Sequence, residues 1–235
     1  MTAPNLLVVS TSTLHGSSYL EYILPSVKTF FPPKGNIVFI PFARPSGISH
    51  DSYTEKVRNA FSSIQLSVKG IHEYTDTKAA IQAADGVFTG GGNTFVLLNE
   101  LYKMDLIELL RQRIREGMPY MGTSAGSNIT GLTIGTTNDM PIVYPPSFDA
   151  LQLLPFNLNP HYLDPDVNST HMGETRETRI NEFHHFNTQP VLGLREGSWL
   201  EVHGKKAILK GALSARWFAA GEEPVELPSG HIFEL

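Results

Sequence analysis

Short apolar runs alternate with helical patterns over the first half of the chain. Each apolar run is followed by a segment whose apolar residues recur at helical spacing. This strand–helix–strand order predicts parallel strands joined by helical crossovers, with helices on both faces of one sheet. The predicted strands are 5–9, 36–41, 66–71, 86–89 and 120–122, and the predicted helices are 17–27, 52–63, 77–84, 94–101 and 106–116.

The pattern changes beyond residue 130. Short strand candidates at 192–194, 199–202 and 207–209 surround one clear helix at 174–186. No linker, internal repeat or low-complexity segment divides the chain, and α/β folds of 235 residues often form one domain. We therefore expect residues 1–235 to form a single α/β domain, a three-layer sandwich around a mostly parallel sheet.

Composition excludes several classes of protein. No stretch reaches the roughly 18 apolar residues of a membrane-spanning helix, and the apolar run 6–9 is too short for a signal peptide. We therefore expect a cytoplasmic protein with no membrane partner. The absence of cysteine excludes disulfides, thiolate metal sites and a cysteine nucleophile. A net charge of -5 without clustered Lys and Arg argues against nucleic acid, which leaves a small molecule as the expected partner.

A nucleophile motif follows the predicted strand 120–122. Gly122, Ser124 and Gly126 form a Gly-x-Ser-x-Gly sequence between this strand and a helix, which is typical of a nucleophile elbow. A sharp turn there exposes the serine, and the helix directs free amides toward it. The alternative is a glycine-rich helix entry with a capping serine. We interpret Ser124 as the nucleophile of a serine hydrolase.

A glycine-rich loop, 89–95, lies between another predicted strand and helix. It lacks the ending of a phosphate-binding P-loop and the spacing of a dinucleotide fingerprint. An oxyanion hole fits better, with the amide of Gly92 paired with that of Ala125, the residue after the nucleophile. The alternative is a simple tight turn. Because the carboxyl ends of parallel strands meet at one edge, residues 40–44, 89–93 and 122–124 should converge.

The base and the acid of the site are less clear from sequence. Among nine histidines, His161 stands out because it follows an apolar run where a strand would end at the active edge. Glu196 and Asp139 are the best-placed acids to orient it, although either could be a solvated turn residue. A metal site is not expected, because the chain has no His-Glu-x-x-His sequence.

Five short motifs together resemble peptidase E, the aspartyl dipeptidase family. They occur in the family's order, and the likeness extends over nearly the whole chain. The resemblance implies a cytoplasmic exopeptidase that cleaves Asp-X dipeptides, with a fold related to class I glutamine amidotransferases. The motifs are Gly-Gly-Gly-Asn-Thr-Phe at 90–95, Ser-Ala-Gly at 124–126, Thr-Asn-Asp-Met-Pro at 137–141, Asn-Pro-His at 159–161 and Gly-Glu-Thr-Arg at 173–176.

The resemblance also implies a role for individual residues. It makes His161 the base and Glu196 the orienting acid, and it matches Arg176 to the arginine that binds the substrate's aspartyl side chain. It leaves Asp139 as a possible supporting acid. One departure is Thr123, where the family's motif often carries Trp, and this change bears on pocket width and leaving-group preference.

The chemistry expected is acyl transfer through Ser124, with no metal or organic cofactor. Small peptides are the expected partners, and the chain would act as a monomer or homodimer. Two alternatives remain open. One is a cyanophycinase-like acyl hydrolase that acts on a polymer of aspartate and arginine, and the other is a noncatalytic small-molecule binding protein on the same scaffold.

Overall fold

The computed structural model describes residues 4–165, 170 and 172–235. The strands within this part of the chain are β1 Asn5–Val9, β2 Ile37–Ile40, β3 Val68–Gly70, β4 Gly86–Thr89, β5 Tyr120–Thr123, β6 Asn157–Pro160, β7 Val191–Leu194, β8 Ser198–His203, β9 Lys206–Gly211, β10 Ala215–Phe218, β11 Val225–Leu227 and β12 Ile232–Glu234. The helices are α1 Leu24–Phe30, α2 His50–Ser62, α3 Thr77–Gln82, α4 Thr94–Lys103, α5 Ile107–Arg115, α6 Ala125–Asn128 and α7 Arg176–Phe183.

An eight-stranded sheet forms the centre of the fold, in the order β12-β9-β8-β1-β5-β4-β2-β3. The five strands from β1 to β3 in this order are parallel, and β8, β9 and β12 extend the sheet antiparallel. The register pairs Val9 with Thr123 and Thr89 with Gly122. The residues after β1, β4 and β5 therefore meet at one edge of the sheet.

Hydrophobic cores lie on both faces of the parallel strands because alternate side chains point to opposite sides. On one face, Phe39, Phe88 and Met121 pack against α1 and α2. On the other face, Val38, Ile40 and Val87 contribute to a larger core with α3, α4 and α5. The expected arrangement of helices on both faces of a mostly parallel sheet is confirmed.

A second, four-stranded sheet has the order β11-β10-β7-β6. Its strands β6 and β7 run parallel, with Pro160 paired to Leu194, so the residues that follow them lie at the same edge. Leu158 and Leu194 from this sheet belong to the same buried cluster as Leu200 of the main sheet. The two sheets thus share one core.

In the parallel half of the fold, the predicted elements match the structure with two differences. The helix expected at 17–27 is wrong at its start: Leu20 has φ 60, a 3₁₀ turn covers Glu21–Ile23, and α1 begins at Leu24 with a proline in its first turn. Proline presets a helix start, and the left-handed residue before it interrupts any earlier helix. The strand expected at 66–71 is shortened to Val68–Gly70. Beyond residue 130, the helix expected at 174–186 is shortened to Arg176–Phe183, and the strands β10, β11 and β12 were not predicted.

None of the helices in the described part of the chain is long and apolar enough to cross a membrane.

Candidate active site

Ser124 stands at a strained turn between β5 and α6. Its φ of 53 and ψ of -110 lie outside the regions that an L-residue prefers, the backbone signature expected of an elbow. Its N–H donates to the Val9 carbonyl at 3.0 Å, and the Ser127 hydroxyl contacts the Val9 and Gly122 carbonyls at 2.7 Å each. These bonds hold the turn, and Ser124 is partly exposed between buried neighbours.

Small residues around the serine let the backbone of the neighbouring strand approach it closely. A Cβ added to Gly126 would lie 2.2 Å from the Thr89 carbonyl oxygen of the adjacent strand. No side chain can be accommodated at that distance. The strand carrying the glycine-rich loop can therefore pack directly against the elbow.

The glycine-rich loop lies against the nucleophile. A Cβ at Gly91 would be 2.9 Å from the Ser124 Cβ and 3.4 Å from its Oγ. Gly92 has φ 146 and packs so closely on Ala43 that an added Cβ would lie 2.2 Å from the Ala43 carbonyl oxygen. Asn93 follows Gly92. Its N–H donates to the Ala43 carbonyl at 2.6 Å, and its side chain caps the N-terminus of α4. This proximity agrees with the expected convergence of loop and serine.

Two backbone amides at this point have no acceptor among the described residues. The N–H of Gly91 donates to the Tyr53 hydroxyl at 3.0 Å. Among the hydrogen bonds of the described residues, none uses the N–H of Gly92. Ala125 is the first residue of α6, so no carbonyl of a preceding helical turn can accept a hydrogen bond from its N–H. Gly92 and Ala125 therefore supply two backbone donors beside Ser124 that no described residue occupies.

His161 and Glu196 form a hydrogen-bonded pair. The Nδ1 of His161 lies 2.6 Å from the Oε1 of Glu196, with 38% of the histidine and 54% of the glutamate side chain exposed. His161 directly follows β6 and Glu196 is the second residue after β7, so the parallel pairing of these strands brings them together. A carboxylate on Nδ1 leaves Nε2 available as a base.

Ser10 joins the histidine loop to both sheets. It follows β1 and is fully buried. Its hydroxyl accepts from the His161 N–H at 3.0 Å and donates to the Leu194 carbonyl at 2.7 Å. His161 has φ 55, an uncommon value for a non-glycine residue, and this bond helps hold it there. Sequence reasoning missed Ser10, although its position at the end of a strand at the active edge was a usable signal.

Arg195 fixes the turn that carries Glu196. Its guanidinium binds Asp164 through two bonds of 2.7 Å and pairs with Glu226 at 2.5 Å, while its carbon Cζ lies 5.6 Å from the Tyr162 ring centre. The hydrogen bonds to Asp164 raise the pKa of Arg195 further above its usual value. Since Tyr162 and Asp164 follow His161, this cluster ties the two loops together. Arg195 was also missed from sequence.

Asp139 contacts the loop and helix rather than the histidine in the described hydrogen bonds. Its Oδ2 accepts from the N–H of Thr94 at 2.7 Å and from the Thr137 hydroxyl at 3.1 Å. A carboxylate at the N-terminus of α4 is stabilised by the free amides there. Asp139 therefore stabilises the end of the glycine-rich loop.

Arg176 lies at the first position of α7, partly buried. Burial, together with the nearby Arg179, lowers its pKa, while the negative charge of Asp139 opposes the change. Ion pairs among the described residues do not include Arg176. Asp139, whose charge acts on Arg176, binds the N–H of Thr94 at the end of the glycine-rich loop.

The described part of the chain contains no group of three or more His, Cys, Asp or Glu side chains arranged to hold a metal ion.

Comparison with known proteins decides the family. The model of "Peptidase family S51" matches residues 6–210. The chain belongs to peptidase family S51. Among its S51 relatives, "Peptidase E" of Streptomyces coelicolor is 52% identical over 96% of this chain and 92% of its own. The "Probable alpha-aspartyl dipeptidase" of Drosophila melanogaster is 46% identical over 96% of this chain and 94% of its own.

A solved structure shows the same fold. The crystal structure of a peptidase from an acI-B1 Actinobacterium superposes with a TM-score of 0.71 at 14% identity, covering 100% of this chain and 98% of that one. At this identity the likeness concerns the fold alone. The resemblance to peptidase E found in the motifs is confirmed by the family match, and this S51 member is a peptide hydrolase.

Proposed function

We propose that this protein is a serine dipeptidase that hydrolyses Asp-X dipeptides through an acyl-enzyme on Ser124. The observation that carries this proposal is the strained, partly exposed Ser124 beside the free amides of Gly92 and Ala125. Two donors at the point where an acyl oxyanion forms are the main requirement of acyl transfer. The similarity to the probable alpha-aspartyl dipeptidase of Drosophila supports this substrate class.

In the proposed mechanism, His161 takes the proton of Ser124 as Ser124 attacks the peptide carbonyl. Glu196, bonded to Nδ1, keeps the ring in the tautomer whose Nε2 is free and stabilises the imidazolium that forms. The amides of Gly92 and Ala125 stabilise the oxyanion. His161 then protonates the leaving amine, and water attacks the acyl-enzyme by the reverse path. In the described hydrogen bonds Ser124 Oγ has no partner, and such contacts often tighten only when substrate binds.

Arg176 is proposed to select the aspartyl side chain. A guanidinium binds a carboxylate through two charge-assisted hydrogen bonds, and Arg176 has no ion-pair partner among the described residues. Its lowered pKa reflects burial that a substrate anion would offset. Asp139 would then act as a support that orients the loop and faces Arg176.

Substrate selection is tested with Asp-Leu, Asn-Leu and a polymer of aspartate and arginine. We expect the wild type to cleave Asp-Leu much faster than Asn-Leu and to leave the polymer intact. Arg176→Met should erase the preference mainly through a lower kcat/KM for Asp-Leu. Arg179→Met, a neighbouring exposed arginine on α7, is the matched control and should keep the preference. Unchanged discrimination in Arg176→Met would reject the assignment, and faster turnover of the polymer would reject the substrate class.

The remaining properties belong to the same proposal. We propose that residues 1–235 form a single peptidase domain, for which the core shared by both sheets is the support. We also propose a cytoplasmic enzyme that acts as a monomer or homodimer on small peptides, with no nucleic-acid partner. The lack of cysteine suits a reducing compartment.

A further inference from the structure

The peptide unit between Gly91 and Gly92 is held from its carbonyl side. The Gly91 carbonyl oxygen accepts from Nε of Arg44 at 3.2 Å and from the Tyr53 hydroxyl at 3.3 Å. The same hydroxyl accepts the N–H of Gly91 at 3.0 Å. Tyr53 is buried, and this burial raises the pKa of its hydroxyl above the ordinary value, so the proton that it donates is retained.

The geometry of a trans peptide connects this carbonyl to the proposed oxyanion hole. In a trans peptide the C=O of one residue and the N–H of the next point in opposite directions, and the described residues contain no cis peptide bond. Donors on the Gly91 carbonyl therefore direct the Gly92 N–H away from Arg44 and Tyr53. The N–H of Gly91, by contrast, is occupied by Tyr53.

A charged donor on the Gly91 carbonyl also makes the Gly92 N–H a stronger hydrogen-bond donor. Hydrogen bonds in series polarise one another, so an amide whose oxygen accepts from a guanidinium becomes a stronger donor through its N–H. Arg44 is mostly exposed, yet its Nε is directed at this carbonyl and its Cζ lies 5.7 Å from the Tyr53 ring centre. The guanidinium is therefore held beside the Gly91–Gly92 peptide by its hydrogen bond to the Gly91 carbonyl and by its contact with the Tyr53 ring.

We propose that Arg44 is a positioning residue that orients and polarises the Gly91–Gly92 peptide, so that the Gly92 N–H stabilises the oxyanion of the acyl-transfer step. Tyr53 fixes the same peptide from the buried side. This inference rests on the proposed role of Gly92 in the oxyanion hole. This interaction gains strength only as negative charge develops on the substrate oxygen in the transition state. Its loss should therefore lower kcat and leave substrate binding nearly unchanged.

The first test compares Arg44→Met and Arg44→Lys with the wild type, using Asp-Leu. Arg44→Met should lower kcat about 10-fold and leave KM within about twofold, a smaller loss than removal of an oxyanion donor itself. Arg44→Lys keeps the cation and should recover part of kcat. Arg58→Met, which removes another arginine outside the site, is the control and should keep wild-type kcat. Melting temperatures show that each variant is folded.

The second test measures the rate at which a fluorophosphonate labels Ser124, a reaction that needs the nucleophile and oxyanion hole but no aspartyl group. Arg44→Met should slow labelling by a factor similar to its loss in kcat. If wild-type protein labels but does not cleave Asp-Leu, the substrate proposal fails, and the labelling rates still decide the role of Arg44. A raised KM with unchanged kcat, or unchanged labelling in Arg44→Met, would overturn the inference.

Discussion

Replacing Glu196 by Gln tests how the histidine is held. The change keeps the side-chain size but removes the charge, and the amide can donate to Nδ1, which holds His161 in the wrong tautomer for taking the serine proton. The lost contact is a 2.6 Å hydrogen bond between partly exposed side chains. Losses in related triads reach about 10⁴-fold, but solvent screening of this exposed pair reduces the charge effect. We therefore expect kcat to fall by about 10² to 10³, which corresponds to about 2.7 to 4 kcal/mol.

The assay is the steady-state hydrolysis of Asp-Leu by Glu196→Gln and Asp139→Asn, each purified and shown to be folded. Asp139→Asn retains an amide oxygen that can still accept from the Thr94 N–H, so its loss in kcat should stay below about 10-fold. This variant is the matched control for removal of one carboxylate near the site. Nearly full activity in Glu196→Gln with a loss of several orders of magnitude in Asp139→Asn would reverse the two roles.

Two further changes test the supports of the His161 loop. Ser10→Ala leaves the His161 N–H without its buried acceptor, so we expect the free energy of unfolding to fall by about 1 to 3 kcal/mol and kcat to fall about 10-fold. Urea titration measures the first change and Asp-Leu kinetics the second. A wild-type kcat in this variant would contradict the role of Ser10. Arg195→Gln breaks the pairs with Asp164 and Glu226, whose exposure limits the expected loss of stability to about 1 to 2 kcal/mol. Unchanged stability in that variant would show that the cluster does not hold the two loops.

Local sequence patterns predicted the parallel half of the fold well. Strands with buried side chains on both faces read as short apolar runs, and glycine is required at position 126 because an added Cβ would lie 2.2 Å from the Thr89 carbonyl oxygen. These features are local, so they can be read from the chain. The helix expected from residue 17 was wrong because the left-handed conformation of Leu20 cannot be inferred from periodicity, and because the helix start that Pro25 marks was not used.

The second sheet could not be predicted in the same way. Its strands β6 and β7 pair across some thirty residues, and the short β10 and β11 carry mixed burial patterns. Spacing alone left Glu196 and Asp139 both open, and only the resemblance preferred Glu196, because the distance of each acid from His161 depends on this pairing. Ser10 and Arg195 were missed, and Arg44 was expected at this edge without a role, for a related reason: each acts on a backbone group or loop that is remote in sequence.

The central claim is that Ser124 is the nucleophile, and mass spectrometry of fluorophosphonate-treated protein beside Asp-Leu turnover tests it most directly. Ser124→Ala should remain folded and bind substrate, because the side chain is small and partly exposed. We expect it to lose at least about 10³-fold in kcat and to take up no label, while wild-type protein is labelled on Ser124. Wild-type turnover by a pure Ser124→Ala preparation, or labelling of another residue in the wild type, would contradict the account.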